Sequence, residues 1–154
     1  MSVPEPLAAL VGRWTGTMRL WMSPAEPAQQ SDSTATVSLA ARGRFLSLEY
    51  TWSEEGVPQA GQILIGHEPR SGAVTAVWID SWHMGDKMMI CQGSLGPDGA
   101  VTLRGAYAAP PGPDWGWQIR LAPTPRGTFE IVMYNVTPEG KAQVAVEVGY
   151  SRQV

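Results

Sequence analysis

Between residues 115 and 121 every second position is apolar: Trp115, Trp117, Ile119 and Leu121 alternate with Gly116, Gln118 and Arg120. The same period of two runs to the end of the chain. There Ala142, Val144, Val146, Val148 and Tyr150 oppose Lys141, Gln143, Ala145, Glu147 and Gly149. Successive side chains of an extended strand point to opposite faces, so this period predicts strands with one dry and one wet face. Apolar positions spaced for a helix occur only in the short stretch Leu7 to Val11, which has room for a single helical turn.

What separates the strands is also periodic. Turn-type clusters recur around Gly43, Gly56, Gly72, Gly85, Gly99, Gly112, Gly127 and Gly140, in steps of 13 to 16 residues. Clusters such as Pro97-Asp98-Gly99 and Pro138-Glu139-Gly140 combine a proline that presets φ with a glycine free to take positive φ, the chemistry of a tight turn. A strand follows each of the eight clusters, and two more precede them, Arg13 to Met22 and Ser33 to Ala41, which makes about ten. Connections this short join antiparallel neighbours, because a parallel crossover needs a dozen residues or more. An even number of strands in a simple meander leaves the first and last antiparallel and able to pair. The pattern therefore predicts an all-β, antiparallel up-and-down barrel formed by a single domain over residues 1–154.

Hairpin connectivity sends alternate strand ends to opposite poles. The start of strand one, with Trp14, falls beside Tyr150 and Arg152 at a bottom that the N-terminal segment can plug. Trp21, Met22, Trp52, Trp82, His83, Tyr107, Trp115 and Trp117 fall at the top, together with the two longest connections, 23–30 and 108–114. An aromatic mouth suits a small apolar ligand, and ten strands enclose more space than eight. A fully packed core is the alternative.

Composition narrows the partners. With 154 residues, a charged fraction of 16% and a net charge of −3 spread singly along the chain, no basic stripe offers itself to nucleic acid or an anionic membrane. No apolar run is long enough to span a bilayer. Cys91 is the only cysteine, and Met1 to Gly12 lacks the basic start of a signal peptide, so the expected location is cytoplasmic. A monomer or a homodimer is expected.

Candidate chemistry centres on strand five. Trp78, Asp80 and Trp82 share one face, and Val77, Ile79, Ser81 and His83 the other. Burial of two indoles places Asp80 inside. Counting through two-residue turns at Met84-Gly85 and Asp98-Gly99, with Leu103 inside, places it outside. The indoles are the stronger argument. An inward carboxylate must then find donors, from Trp Nε1 groups or a ligand. His67 and His83 are assigned to opposite ends, roughly 30 Å apart at the rise of a strand, so they cannot share a metal ion. There is no nucleophile elbow and no phosphate-binding glycine loop, and Cys91 lies mid-strand, where a buried thiol is usual.

Gly12-Arg13-Trp14 matches the Gly-x-Trp that opens the first strand of lipocalins, where the Trp packs at the closed end. More of the chain resembles a bacterial family of lipocalin-like, calycin-type barrels known as domain of unknown function fifteen seventy-nine. The resemblance runs through 10–16, Gly43-Arg44-Phe45-Leu46, 64–69, Trp78-Ile79-Asp80-Ser81, 129–134 and Tyr150-Ser151-Arg152. It implies the barrel and brings no established activity. Nitrobindin-like haem barrels are similar in shape, but their haem-ligating histidine lies in the C-terminal part of the barrel. This chain has no His after residue 83, so haem is not expected.

Three functional readings follow. The first is binding of a small apolar or aromatic ligand by Trp21, Trp52, Trp78, Asp80, Trp82, His83, Tyr107 and Trp117. The second is an interaction module or homo-oligomer that docks through the aromatic rim. The third is an enzyme that uses Asp80 or His83 as acid or base.

Overall fold

A computed structural model describes residues 3–154; Met1 and Ser2, part of the N-terminal segment expected to plug the barrel, lie outside the described residues. One helical turn, α1 (Glu5–Ala8), precedes ten strands: β1 (Gly12–Leu20), β2 (Gln29–Ala40), β3 (Phe45–Glu54), β4 (Val57–His67), β5 (Ala73–Asp80), β6 (Met89–Leu95), β7 (Val101–Tyr107), β8 (Trp115–Pro123), β9 (Phe129–Val136) and β10 (Ala142–Arg152). Each strand pairs antiparallel with its neighbours in the chain, and β1 pairs with β10, closing the barrel. Seven of the eight turn glycines have φ between 59 and 92°, Gly112 being the exception. In the two-residue β3–β4 turn both Glu55 (φ 48°) and Gly56 (φ 79°) are left-handed, the twist-matched hairpin geometry that a glycine makes accessible.

The bottom is sealed by the N-terminal segment. Leu7 and Leu10 are buried beneath the barrel, and the Trp14 indole N–H donates to the Leu10 carbonyl at 2.8 Å. Phe129 meets Trp14 edge-on at 4.7 Å between ring centres. Arg152, at the end of β10, stacks 4.4 Å above the Trp14 ring and donates to the carbonyls of Ala9 and Val11. First and last strands thus hold the plug together. Further up, the Ser33 and Tyr150 hydroxyls share a buried hydrogen bond of 2.7 Å.

Two expectations from strict alternation are corrected. In β10 the register against β9 shifts between Val144 and Val146, so Ala145 turns inward and is buried while Val144 turns out. The extra residue of a β-bulge reverses the parity on one side of it. In the second case β5 ends at Asp80, not at His83, and the chain from 81 to 88 forms an irregular connection rather than a two-residue turn. The parity argument that placed Asp80 outside fails with that turn: Trp78 and Asp80 are both buried in the interior.

Candidate functional site

Asp80 ends β5 because its carboxylate captures the next backbone donors. Oδ1 accepts the N–H groups of Trp82 and His83, each at 2.9 Å, and the Asp80 carbonyl accepts the Met84 N–H at 3.0 Å. This local capture, a habit of Asp that competes with the strand ladder, curls the chain so that His83 returns to the same interior side as Asp80. Sequence alternation had put the two on opposite faces.

The second carboxylate oxygen faces β3. Tyr50 Oη donates to Oδ2 at 2.6 Å, and Trp52 Nε1 donates to the same oxygen at 3.2 Å. Tyr50 in turn accepts from Trp78 Nε1 at 2.9 Å. Tyr50, Gly61 and Asp80 stand in one row across β3, β4 and β5. The phenol reaches Asp80 by passing over Gly61, where an added Cβ would lie 2.2 Å from Tyr50 Oη. Burial raises the Asp80 carboxyl, but contact with His83 and the Tyr50 hydroxyl outweighs it, and the group is held below its ordinary range. Burial and the adjoining carboxylate push the Tyr50 phenol well above its own.

His83 lies over this anchor inside a cage of indoles. Its ring centre is 4.8 Å from Trp82, 5.5 Å from Trp52, 5.5 Å from Trp117 and 5.6 Å from Trp78. Nδ1 is 3.3 Å from Asp80 Oδ1 but off the hydrogen-bonding direction. Trp78 and Trp117 stack at 5.0 Å with their planes 8° apart, forming a flat slab.

Against the slab opens a cavity of about 620 Å³, bounded also by Trp82, His83, Met84, Met89, Tyr107 and Asn135. Tyr107 Oη donates to Asn135 Oδ1 at 2.6 Å. Trp117 is buried, yet its Nε1 finds no acceptor among the described residues. Beside the cavity the barrel wall is incompletely paired. β6 and β7 pair only where Gln92–Leu95 meets Arg104–Val101, so Met89–Cys91 and Gly105–Tyr107 each lack a partner on the side facing the other. Met88 and Ala106, both exposed, flank the resulting gap and border the cavity.

Of the residues singled out from sequence, Trp78, Trp82, His83, Tyr107 and Trp117 border this cavity, while Trp52 and Asp80 stand behind His83. Trp21 lies apart. β1 ends at Leu20, the Trp21 N–H bonds to the Ala145 carbonyl at the β10 bulge, and the ring lies 5.3 Å from the Arg19 guanidinium in an outer groove with Pro24, Val144 and Glu147. His67 borders a different groove with Arg44 and Phe45. Cys91 is buried, and burial pushes its thiol up to about 11. Tyr50, Met89 and Asn135 were not singled out. Tyr50 was within reach of pattern reasoning, since it shares a strand face with Trp52.

Comparison with known proteins agrees with the architecture. The family model described as Protein of unknown function (DUF1579) matches residues 4–152. The crystal structure of Rv2717c from M. tuberculosis is similar at a TM-score of 0.63 and 15% identity, over 99% of each chain, which shows a shared fold. A conserved protein of unknown function with a hot dog fold from Alicyclobacillus acidocaldarius matches at a TM-score of only 0.23 and 12% identity, over 100% of this chain and 82% of that one. No curated protein matches. Among the described residues no helix is long and apolar enough to cross a membrane.

Proposed function

Since the chain belongs to the Protein of unknown function (DUF1579) family, which hands down no activity, we propose from the geometry that it binds a small, flat, apolar or aromatic ligand in the cavity at the top of the barrel. The observation that carries this reading is the space itself. The lower barrel is filled by Trp14, Phe129 and Leu7, whereas about 620 Å³ stands open against the Trp78–Trp117 slab. That volume falls within the ~300–1,000 Å³ usual for small-molecule sites, and the walls combine aromatic and thioether side chains with the polar groups of His83, Lys87, Tyr107 and Asn135. Stacked indoles favour a planar partner, because offset stacking adds to the area buried.

Native mass spectrometry of protein purified from its host, with intrinsic tryptophan fluorescence titrated against flat apolar compounds, tests the proposal. The expected result is a retained mass released on denaturation, or saturable quenching by at least one compound. An apo mass together with unchanged fluorescence across the panel overturns it.

A second reading draws on the Asp80–His83 pair at 3.3 Å: an imidazole backed by a carboxylate and bordering a cavity is placed to move a proton. Asp80 itself is committed to four donors, so the acting group is His83 and Asp80 a positioning residue. In this reading His83→Gln abolishes any turnover found and leaves ligand affinity within a few-fold; unchanged turnover removes it.

A further inference from the structure

Deepening the binding reading on which it rests, we infer that the ligand is an aromatic acid: a flat ring system carrying a carboxylate or comparable anion. Apart from the His83 imidazole, which can donate or accept, the cavity's polar groups are weighted towards donors. Trp117 Nε1 is a buried donor with no acceptor among the described residues. Asn135 accepts the Tyr107 hydroxyl through Oδ1, which leaves its NH₂ to donate. Lys87, from the 81–88 connection, brings the one formal charge on the cavity wall, and no Asp or Glu borders it. This is a reversal of the whole chain's balance, in which acids outnumber bases to give −3.

Asp80, the carboxylate nearest His83, does not oppose an anion as a free charge would. Asp80 sits behind His83 and accepts from Tyr50, Trp52 and the N–H groups of Trp82 and His83. Besides the His83 ring, an amide and an ammonium border the space, and the Trp117 Nε1 donor is buried beside it at the slab of parallel indoles. A buried donor left without an acceptor is unfavourable, and a ligand oxygen relieves it. A neutral hydrocarbon would stack equally well but leave Trp117 Nε1 unsatisfied. A cationic ligand would meet Lys87 and no counter-charge.

The test compares 2-naphthoate with 2-naphthamide, which share ring and shape but differ in charge, by fluorescence titration of the whole chain. The expected result is that naphthoate binds at least about tenfold more tightly, the worth of one good charge-assisted hydrogen bond. Lys87→Gln, at an exposed position, should lower naphthoate affinity several-fold and leave naphthamide within about twofold, whereas Trp117→Phe, which removes the N–H and part of the slab, should weaken both and naphthoate more. Because Trp117 is buried, Lys87→Gln decides the matter even if Trp117→Phe folds poorly. Equal or tighter binding of the amide overturns the inference and leaves the pocket reading standing. Binding of neither compound overturns the inference, and only an apo mass with unchanged fluorescence across the wider panel overturns the pocket reading as well.

Discussion

Tyr50 and Asp80 are bound through a 2.6 Å hydrogen bond that crosses an intervening strand, and the residue between them in the row is Gly61. Neighbouring strands lie nearly 5 Å apart, so residues two strands apart meet only when the middle one has no side chain in the way. Gly61→Ala puts a methyl 2.2 Å from Tyr50 Oη and 2.8 Å from the Ile79 carbonyl. The backbone side of that clash cannot swing away. The expected loss is about 2 kcal/mol of stability in urea denaturation, in the range of core overpacking.

Tyr50→Phe removes the same bond without crowding. Asp80 is held below its ordinary range in the folded protein, so its stabilising contribution is present above the unfolded pKa, near 4, and is lost as pH falls through the folded value. Without the Tyr50 hydroxyl the folded value rises. Acid unfolding followed by circular dichroism should therefore begin at higher pH in Tyr50→Phe than in the parent. An unchanged acid limb would show that the hydroxyl contributes nothing to holding the carboxylate charged.

At the other end of the pH scale Tyr150 contributes, together with Tyr50. Burial pushes its phenol up to about 12 despite the opposing hydrogen bond to Ser33. A raised folded pKa means stability that is complete below the unfolded value, near 10, and lost as pH climbs toward 12. The amount is on the order of 3 kcal/mol for a shift of that size. Urea midpoints at pH 8, 10 and 12 should fall steeply for the parent. Tyr150→Phe should flatten the fall without abolishing it, because Tyr50 is raised as well.

Entry through the wall can be timed. Ala106 is exposed beside the gap where β6 and β7 no longer pair. Ala106→Trp should slow stopped-flow association of 2-naphthoate several-fold while shifting stability by no more than about 0.5 kcal/mol, as expected of a surface change. An unchanged association rate places the entrance elsewhere.

Most of the architecture was legible because its causes are local. A turn glycine every 13 to 16 residues, at positive φ in all but Gly112, marks where strands end, and alternation between the marks assigns faces. Where a residue takes its partner from the backbone instead of the ladder, that reasoning breaks. The Asp80 carboxylate draws the chain into a turn and brings His83 to its own side, and the bulge at Ala145 reverses Val144; neither leaves a mark in a period of two. The convergence of Trp82, Tyr107 and Trp117 followed from hairpin connectivity, and that of Trp78 from the strand face it shares with Asp80 and Trp82. The exclusion of Trp21 depends on where β1 ends, a boundary that pattern does not locate to the residue. The inward face of Tyr50 was legible beside Trp52, but its bond to Asp80 was not: that partner lies two strands away, and only the pairing with Gly61 reveals that the path is open.

The most direct measurement is a ¹H–¹⁵N spectrum of the seven indole N–H groups during titration with 2-naphthoate, with Trp117 assigned through Trp117→Phe. The Trp117 signal should shift most, followed by Trp78 and Trp82, while Trp14, whose N–H is bound to Leu10 at the sealed end, stays in place. Spectra in which no indole moves at saturating ligand, or in which Trp14 moves as much as Trp117, would contradict a binding site at the top of this barrel.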